Sequence, residues 1–164
     1  MPKIETVGFN PNNIYATEDT IEIINITASV GANGVNLRED VVVVQAMLKY
    51  TLERRPYFRG TVFPEPTGAD AKATAELIKK YQRFNNKTSF IKVPIDGRID
   101  PLKDGMYAHG TSKQWTIYSL QADALEIALL NGHPSMIEGI CRRWSFIRGI
   151  FNLNGVGSLG LELE

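Results

Sequence analysis

One cysteine, Cys141, and two histidines, His109 and His133, are the chain's candidates for nucleophilic or metal chemistry. Cys141 falls at helical spacing with Ile137, Ile140, Trp144 and Ile147, which reads as a small apolar residue in a core stripe. With no second cysteine it forms no internal disulfide. His109 lies in a Gly-flanked loop and His133 at a helix boundary. No second ligand stands at metal spacing and no His-Glu-x-x-His is present, so neither metal nor other cofactor is expected. Acidic residues offer a glycosidase-type pair in principle, because Glu53, Glu65, Glu76, Asp96, Asp100 and Asp104 fall near loops and helices, but nothing in the pattern selects two of them. Asp96, Asp100 and Asp104 recur every fourth residue, without the alternating oxygen ligands of a calcium loop, and read as part of a turn.

Aromatic residues in the loops are the better candidates for a site. Tyr57, Phe58 and Phe63 occupy one long loop, and Tyr107, Trp115 and Tyr118 surround a second. Rings of this kind form platforms for sugar rings or amphipathic pockets, and they also cover a core where helices end. The ligand-binding set expected here is Tyr57, Phe63, Tyr107, Trp115 and Tyr118. Arg142, Arg143 and Arg148 flank the apolar stripe of the last helix as its solvated edge, with a docking surface as the alternative.

The elements that must position these residues read as mainly α: a compact bundle of three to four helices with a short N-terminal strand and long ordered loops. Residues 1–19 form an irregular N-terminal arm. Residues 20–30 alternate Ile21, Ile23 and Ile26 with polar neighbours and suit a strand. Gly31 to Gly34 break it. A first helix is expected from Asn36, capped by its side chain with Glu39 three residues on, and with Val41, Val44, Leu48 and Leu52 facing inward. A second runs from Thr67, with Asp70 as its capping partner, to about Asn85 and buries Thr74, Leu77, Ile78, Tyr81 and Phe84. After the Asp96-Gly97 turn and a polar loop, a third helix is expected from about Ser119 to Leu130, stopped by Gly132. A fourth opens near Pro134 and carries its stripe to Phe151. The domain therefore spans residues 20–132, with an amphipathic C-terminal helix at 133–154 packed on it and a flexible tail at 155–164.

At 164 residues, with 43% hydrophobic and 22% charged side chains, the chain is of the size and composition of one globular domain. Eighteen basic residues balance eighteen acidic ones, so no general attraction for nucleic acid or anionic lipid follows. No apolar run is long enough to span a bilayer, and no signal peptide is visible at the start.

Several motifs follow a familiar order. Val30-Gly31-Ala32-Asn33-Gly34-Val35-Asn36, Asp40-Val41, Val44-Gln45 and Leu48 are followed by Thr74, Ile78, Tyr81 and Gln82, then by Asp96-Gly97-Arg98-Ile99-Asp100-Pro101. Over residues 30–130 this resembles the peptidoglycan-binding domain family as a divergent member. Thr67-Gly68 and Ala71 stand where that family carries Asp-Gly and a later Gly, and the interval between the first two helices is longer. The resemblance implies a non-catalytic helical module that recognises cell-wall glycan or stem peptide and targets or anchors a partner. The expected compartment is then the bacterial cell envelope, reached without a visible signal peptide, with the cytoplasm as alternative. A structural adaptor that binds another protein of an envelope, secretion or phage-like machine is the rival reading, and a cell-wall hydrolase is the third.

Overall fold

The computed structural model describes residues 1–8, 20–103 and 113–152. These are mainly helical, with two small sheets. Strand β1, Lys3–Gly8, pairs antiparallel with β2, Thr20–Asn25, placing Lys3 opposite Asn25 and Gly8 opposite Thr20. Residues 3–8, expected to be irregular, are thus a strand, because β2 offers a free edge whose backbone groups need partners. Toward the end of β2, Ile23, Ile24 and Asn25 are buried in succession, so both faces are covered there.

The short strand β3, Val30–Gly31, pairs with β4, Arg98–Ile99. Gly31 sits at φ 110°, where a Cβ would overlap the Gly97 carbonyl, so glycine is required for the chain to turn there. Helix α1, Arg38–Leu52, begins two residues later than expected. Asn36 is not its cap. At φ 58° its side chain instead accepts from Gly31 N at 2.7 Å and donates to the Gly31 and Gly34 carbonyls. Asn adopts this left-handed conformation more easily than other non-glycine residues. The stripe Val41, Val44, Leu48 and Leu52 is buried as expected, but so is every other residue from Asp40 to Leu52 except Lys49. A helix buried on nearly all sides belongs at the centre of a domain.

A 3-10 turn, Pro56–Phe58, follows. Helix α2 then runs Ala71–Thr88, capped by Asp70, whose side chain accepts from Ala73 N at 3.2 Å. The capping residue is Asp70 itself, not Thr67. Thr74, Leu77, Ile78 and Tyr81 are buried and Phe84 is half-buried. Helix α3, Thr116–Leu130, starts three residues earlier than expected and stops at Asn131 and Gly132, with Gly132 at φ 80°. In place of one C-terminal helix there are two: α4, Met136–Arg143, and α5, Ile147–Ile150. Ser135 rather than Pro134 opens α4, accepting from Glu138 N at 3.1 Å. Trp144 leaves helical geometry at φ −129°, ψ 84°. Residues 144–149, Trp-Ser-Phe-Ile-Arg-Gly, mostly have modest or poor helix propensity, and the break still lets Ile147 reach the core.

Buried amide side chains tie the irregular segments to the helices. Gln45, 1% exposed, donates to Ala69 O at 2.6 Å and Thr74 Oγ1 at 3.1 Å, and accepts from Gly68 N at 2.9 Å. Gln82 donates to Asp96 Oδ1, Arg98 O and Thr116 Oγ1 and accepts from Asp96 N and Gly97 N. Gln121 accepts from Ile24 N at 2.6 Å and donates to Ile24 O at 2.7 Å, holding β2. Asn25 holds Leu102 through both its backbone groups, and Asn86 does the same for Val93. The Asp40 carboxylate accepts from Thr27 N and Ala28 N at 3.0 and 2.9 Å. A loop buried without such partners would leave its peptide groups unsatisfied.

Candidate functional site

The loop between α1 and α2 folds back over the α2 surface and leaves an open groove of about 470 Å³. Its loop wall includes Arg59, Thr61 and Val62, and its helix wall Glu76, Leu77 and Lys80. Lys80 joins the walls, since its ammonium donates to Thr61 Oγ1 at 2.6 Å. The same ammonium stands 5.3 Å from the Phe58 ring centre and 5.8 Å from that of Tyr57. Lys87, one helical span further along, lies 5.6 Å from the Tyr57 ring.

These rings form one cluster. Tyr57 packs against Phe58 and Phe84 with centroids 5.2 and 5.1 Å apart, and Phe58 lies 5.4 Å from Phe84 and 6.1 Å from Phe63. Phe58 is the buried anchor, and Tyr57 is 39% exposed. The turn that separates them sends Phe58 into the core and leaves Tyr57 at the surface between two ammonium groups. Cations beside a ring face are attracted by its quadrupole. The arrangement sets a partly exposed ring beside two positive charges, a combination that can meet an apolar group next to a carboxylate.

The expected site residues divide accordingly. Tyr57 and Phe63 come together in the cluster, Phe63 only partly buried against the core. Trp115 stands at the N-terminal boundary of α3, half-buried, with its indole N–H donating to Lys103 O at 3.1 Å. Tyr118 is 1% exposed, in the opening of α3 where Thr116 to Gln121 are all buried, so the structure does not bring it to the surface with Tyr57 and Phe63. Tyr107, Asp104 and His109 lie outside the described residues. Lys80 and Lys87 were not singled out from the sequence, and Phe84 was read only as part of the buried face of the second helix; the return of the loop brings Tyr57 over all three.

No family model, curated protein or solved structure matches this chain. The reading therefore rests on the residues themselves. Of the acidic residues considered for hydrolysis, Glu53 pairs with Arg143 and Glu65 with Lys49. Asp96 accepts from Gln82 and from Arg98 N. Asp100 bonds Ser29 and Arg98. Glu76 alone of these lines the groove. Among the described residues no three acidic, His or Cys side chains cluster as metal ligands would, and no helix is long and apolar enough to cross a membrane. Cys141 is buried, and burial pushes its thiol up to about 11 although Arg148 beside it acts in the opposite sense. A thiol held protonated is a poor nucleophile.

Proposed function

We propose that the chain is a non-catalytic module that binds bacterial peptidoglycan, with the Tyr57 cluster and the adjoining groove as its contact surface. The observation that carries this reading is the partly exposed Tyr57 ring beside the ammonium groups of Lys80 and Lys87, with Lys80 also lining the adjoining groove. Peptidoglycan offers both matching features: sugar rings with apolar faces, and lactyl or stem-peptide carboxylates. The resemblance to the peptidoglycan-binding domain family supports the reading further. Its motif residues Asp40, Gln45, Thr74 and Gln82 all take part in the hydrogen bonds that hold loops to α1 and α2. The altered Thr67-Gly68 loop is held to α1 through Gln45, and with a different loop here ligand preference within the wall polymer is expected to differ from that of other members.

Sedimentation with purified peptidoglycan tests it. Parent protein is expected in the pellet, and Tyr57→Ala and Lys87→Gln each in the supernatant at several-fold lower polymer load, with unchanged melting temperatures. Parent protein that stays in the supernatant, or folded variants that sediment like it, would refute the assignment. The adaptor reading is favoured by a different observation: Phe90 and Phe146 are exposed apolar residues away from the groove. It predicts retention of a protein partner that Phe90→Ser abolishes and Tyr57→Ala does not.

A further inference from the structure

A second cleft, of about 590 Å³, opens where the C-terminal ends of α1 and α3 meet α4, and it shares no residue with the groove beside Tyr57. Two hydroxyls at its wall are buried without a partner. Tyr50 and Thr51 are 8% and 1% exposed, and neither Tyr50 Oη nor Thr51 Oγ1 closes a hydrogen bond. The Asn131 side chain lies beside the phenol without satisfying it. Buried hydroxyls left unpaired are costly, and one reason a native fold retains them is that a ligand completes them.

Gly139 makes this wall possible. A Cβ there would overlap the Tyr50 hydroxyl, so α4 carries a residue of poor helix propensity in its middle and presses its backbone against the phenol. Burial holds the Tyr50 phenol above its ordinary range, with Asn131 and Arg143 opposing, so it is a donor at neutral pH. The rest of the lining is cationic and apolar. Arg54, Arg142 and Arg143 face a single acid, Glu53. Arg143 pairs with Glu53 and Arg142 with Glu138, while Arg54 is exposed and makes no ion pair among the described residues. Leu130, 75% exposed, and Ile127 supply an apolar wall.

We propose that this cleft binds an aliphatic carboxylate, whose oxygens accept from the Tyr50 and Thr51 hydroxyls and from arginine while its short apolar chain covers Ile127 and Leu130. Every polar group that meets the carboxylate is a donor, and the set is charge-assisted on the guanidinium side. Two sources share this chemistry: a free organic acid and the C-terminal residue of a peptide.

The test is a titration of the full chain at low salt, following the ring signals of Tyr50 and His133, with four probes: 4-methylpentanoate, its amide, N-acetyl-glycyl-leucine and the matching leucinamide. Saturable shifts are expected with both carboxylates and with neither amide. Tighter binding of the peptide identifies a chain terminus as the source; equal or tighter binding of the acid identifies a free acid. Tyr50→Phe removes a hydroxyl that has no partner to lose, so the fold is retained and the carboxylate affinity drops roughly tenfold. Arg54→Gln, at an exposed position, weakens binding several-fold and keeps the test informative if Tyr50→Phe misfolds. Shifts that do not saturate, amides that bind as well as acids, or folded variants that bind like the parent would overturn the proposal.

Discussion

Replacing Gln82 by Met keeps the length of the side chain and removes all its strong donors and acceptors. Gln82 is fully buried and its amide makes five hydrogen bonds, with distances of 2.8 to 3.1 Å, to residues on either side of the Asp96-Gly97 turn and to Thr116 at the start of α3. Gly97 is buried, so its N–H would lose its acceptor with no water to replace it, at about 1–3 kcal/mol. The other four partners lie nearer solvent or retain part of their bonding, and each contributes about 0.5–1 kcal/mol. The expected loss is about 3–7 kcal/mol, which is roughly a 1–2 M drop in the guanidinium midpoint for a domain of this size. Hydrogen exchange localises the effect, because the Asp96 and Gly97 amides should lose protection before the α1 amides do. Gln82→Glu separates hydrogen bonding from packing. It keeps two acceptors for those amides but sets a carboxylate against Asp96, so its stability should recover as pH falls and the introduced carboxylate protonates. A Gln82→Met loss below about 1 kcal/mol, with Gly97 still protected, would refute the reasoning that these amides hold the loops in place.

Three further outcomes are expected. Burial raises the Asp123 carboxyl above its ordinary range, while the Tyr81 hydroxyl that donates to it at 2.8 Å acts in the opposite sense. The folded value then lies above the unfolded one, so its favourable contribution is complete below the ordinary carboxylate range and is lost as pH rises through the raised value; Asp123→Asn should flatten melting temperature against pH there, and an unchanged slope refutes this. With its thiol at about 11, Cys141 should stay unreactive toward a thiol reagent at neutral pH until the protein is unfolded, and fast labelling of native protein would contradict its burial. Gly139→Ala should destabilise by about 1–3 kcal/mol through overlap with the Tyr50 hydroxyl, and most of that should disappear in a Tyr50→Phe background; a purely additive pair in denaturant melts would mean the two do not collide.

Apolar spacing made the helices legible. Val41, Val44, Leu48 and Leu52 marked α1, and Leu77, Ile78 and Tyr81 marked α2, because a 3.6-residue period is written in the chain itself. Chain ends of elements were less legible. Asn36 offers the same side-chain oxygen to a helix or to a turn, and the Gly31 N–H, five residues away, took it. The C-terminal stripe from Ile137 to Phe151 is continuous in period, but period carries no information about the backbone break at Trp144.

The candidate site divides along the same line. The sequence by itself placed Tyr57 and Phe63 in an aromatic loop, and it placed Cys141 in a buried stripe, since both follow from local composition and spacing. Tertiary structure alone decided that Lys80 and Lys87 flank the Tyr57 ring, that Tyr118 faces the core, and that Tyr50 meets Gly139 across 89 residues of chain. Those pairings depend on how the 53–70 loop returns over α2 and how α4 crosses the end of α1. Buried amides such as Gln45 and Gln82 fix the loop paths, and a glutamine looks the same in sequence whether it faces water or holds a loop, because only burial turns its hydrogen bonds into a structural requirement.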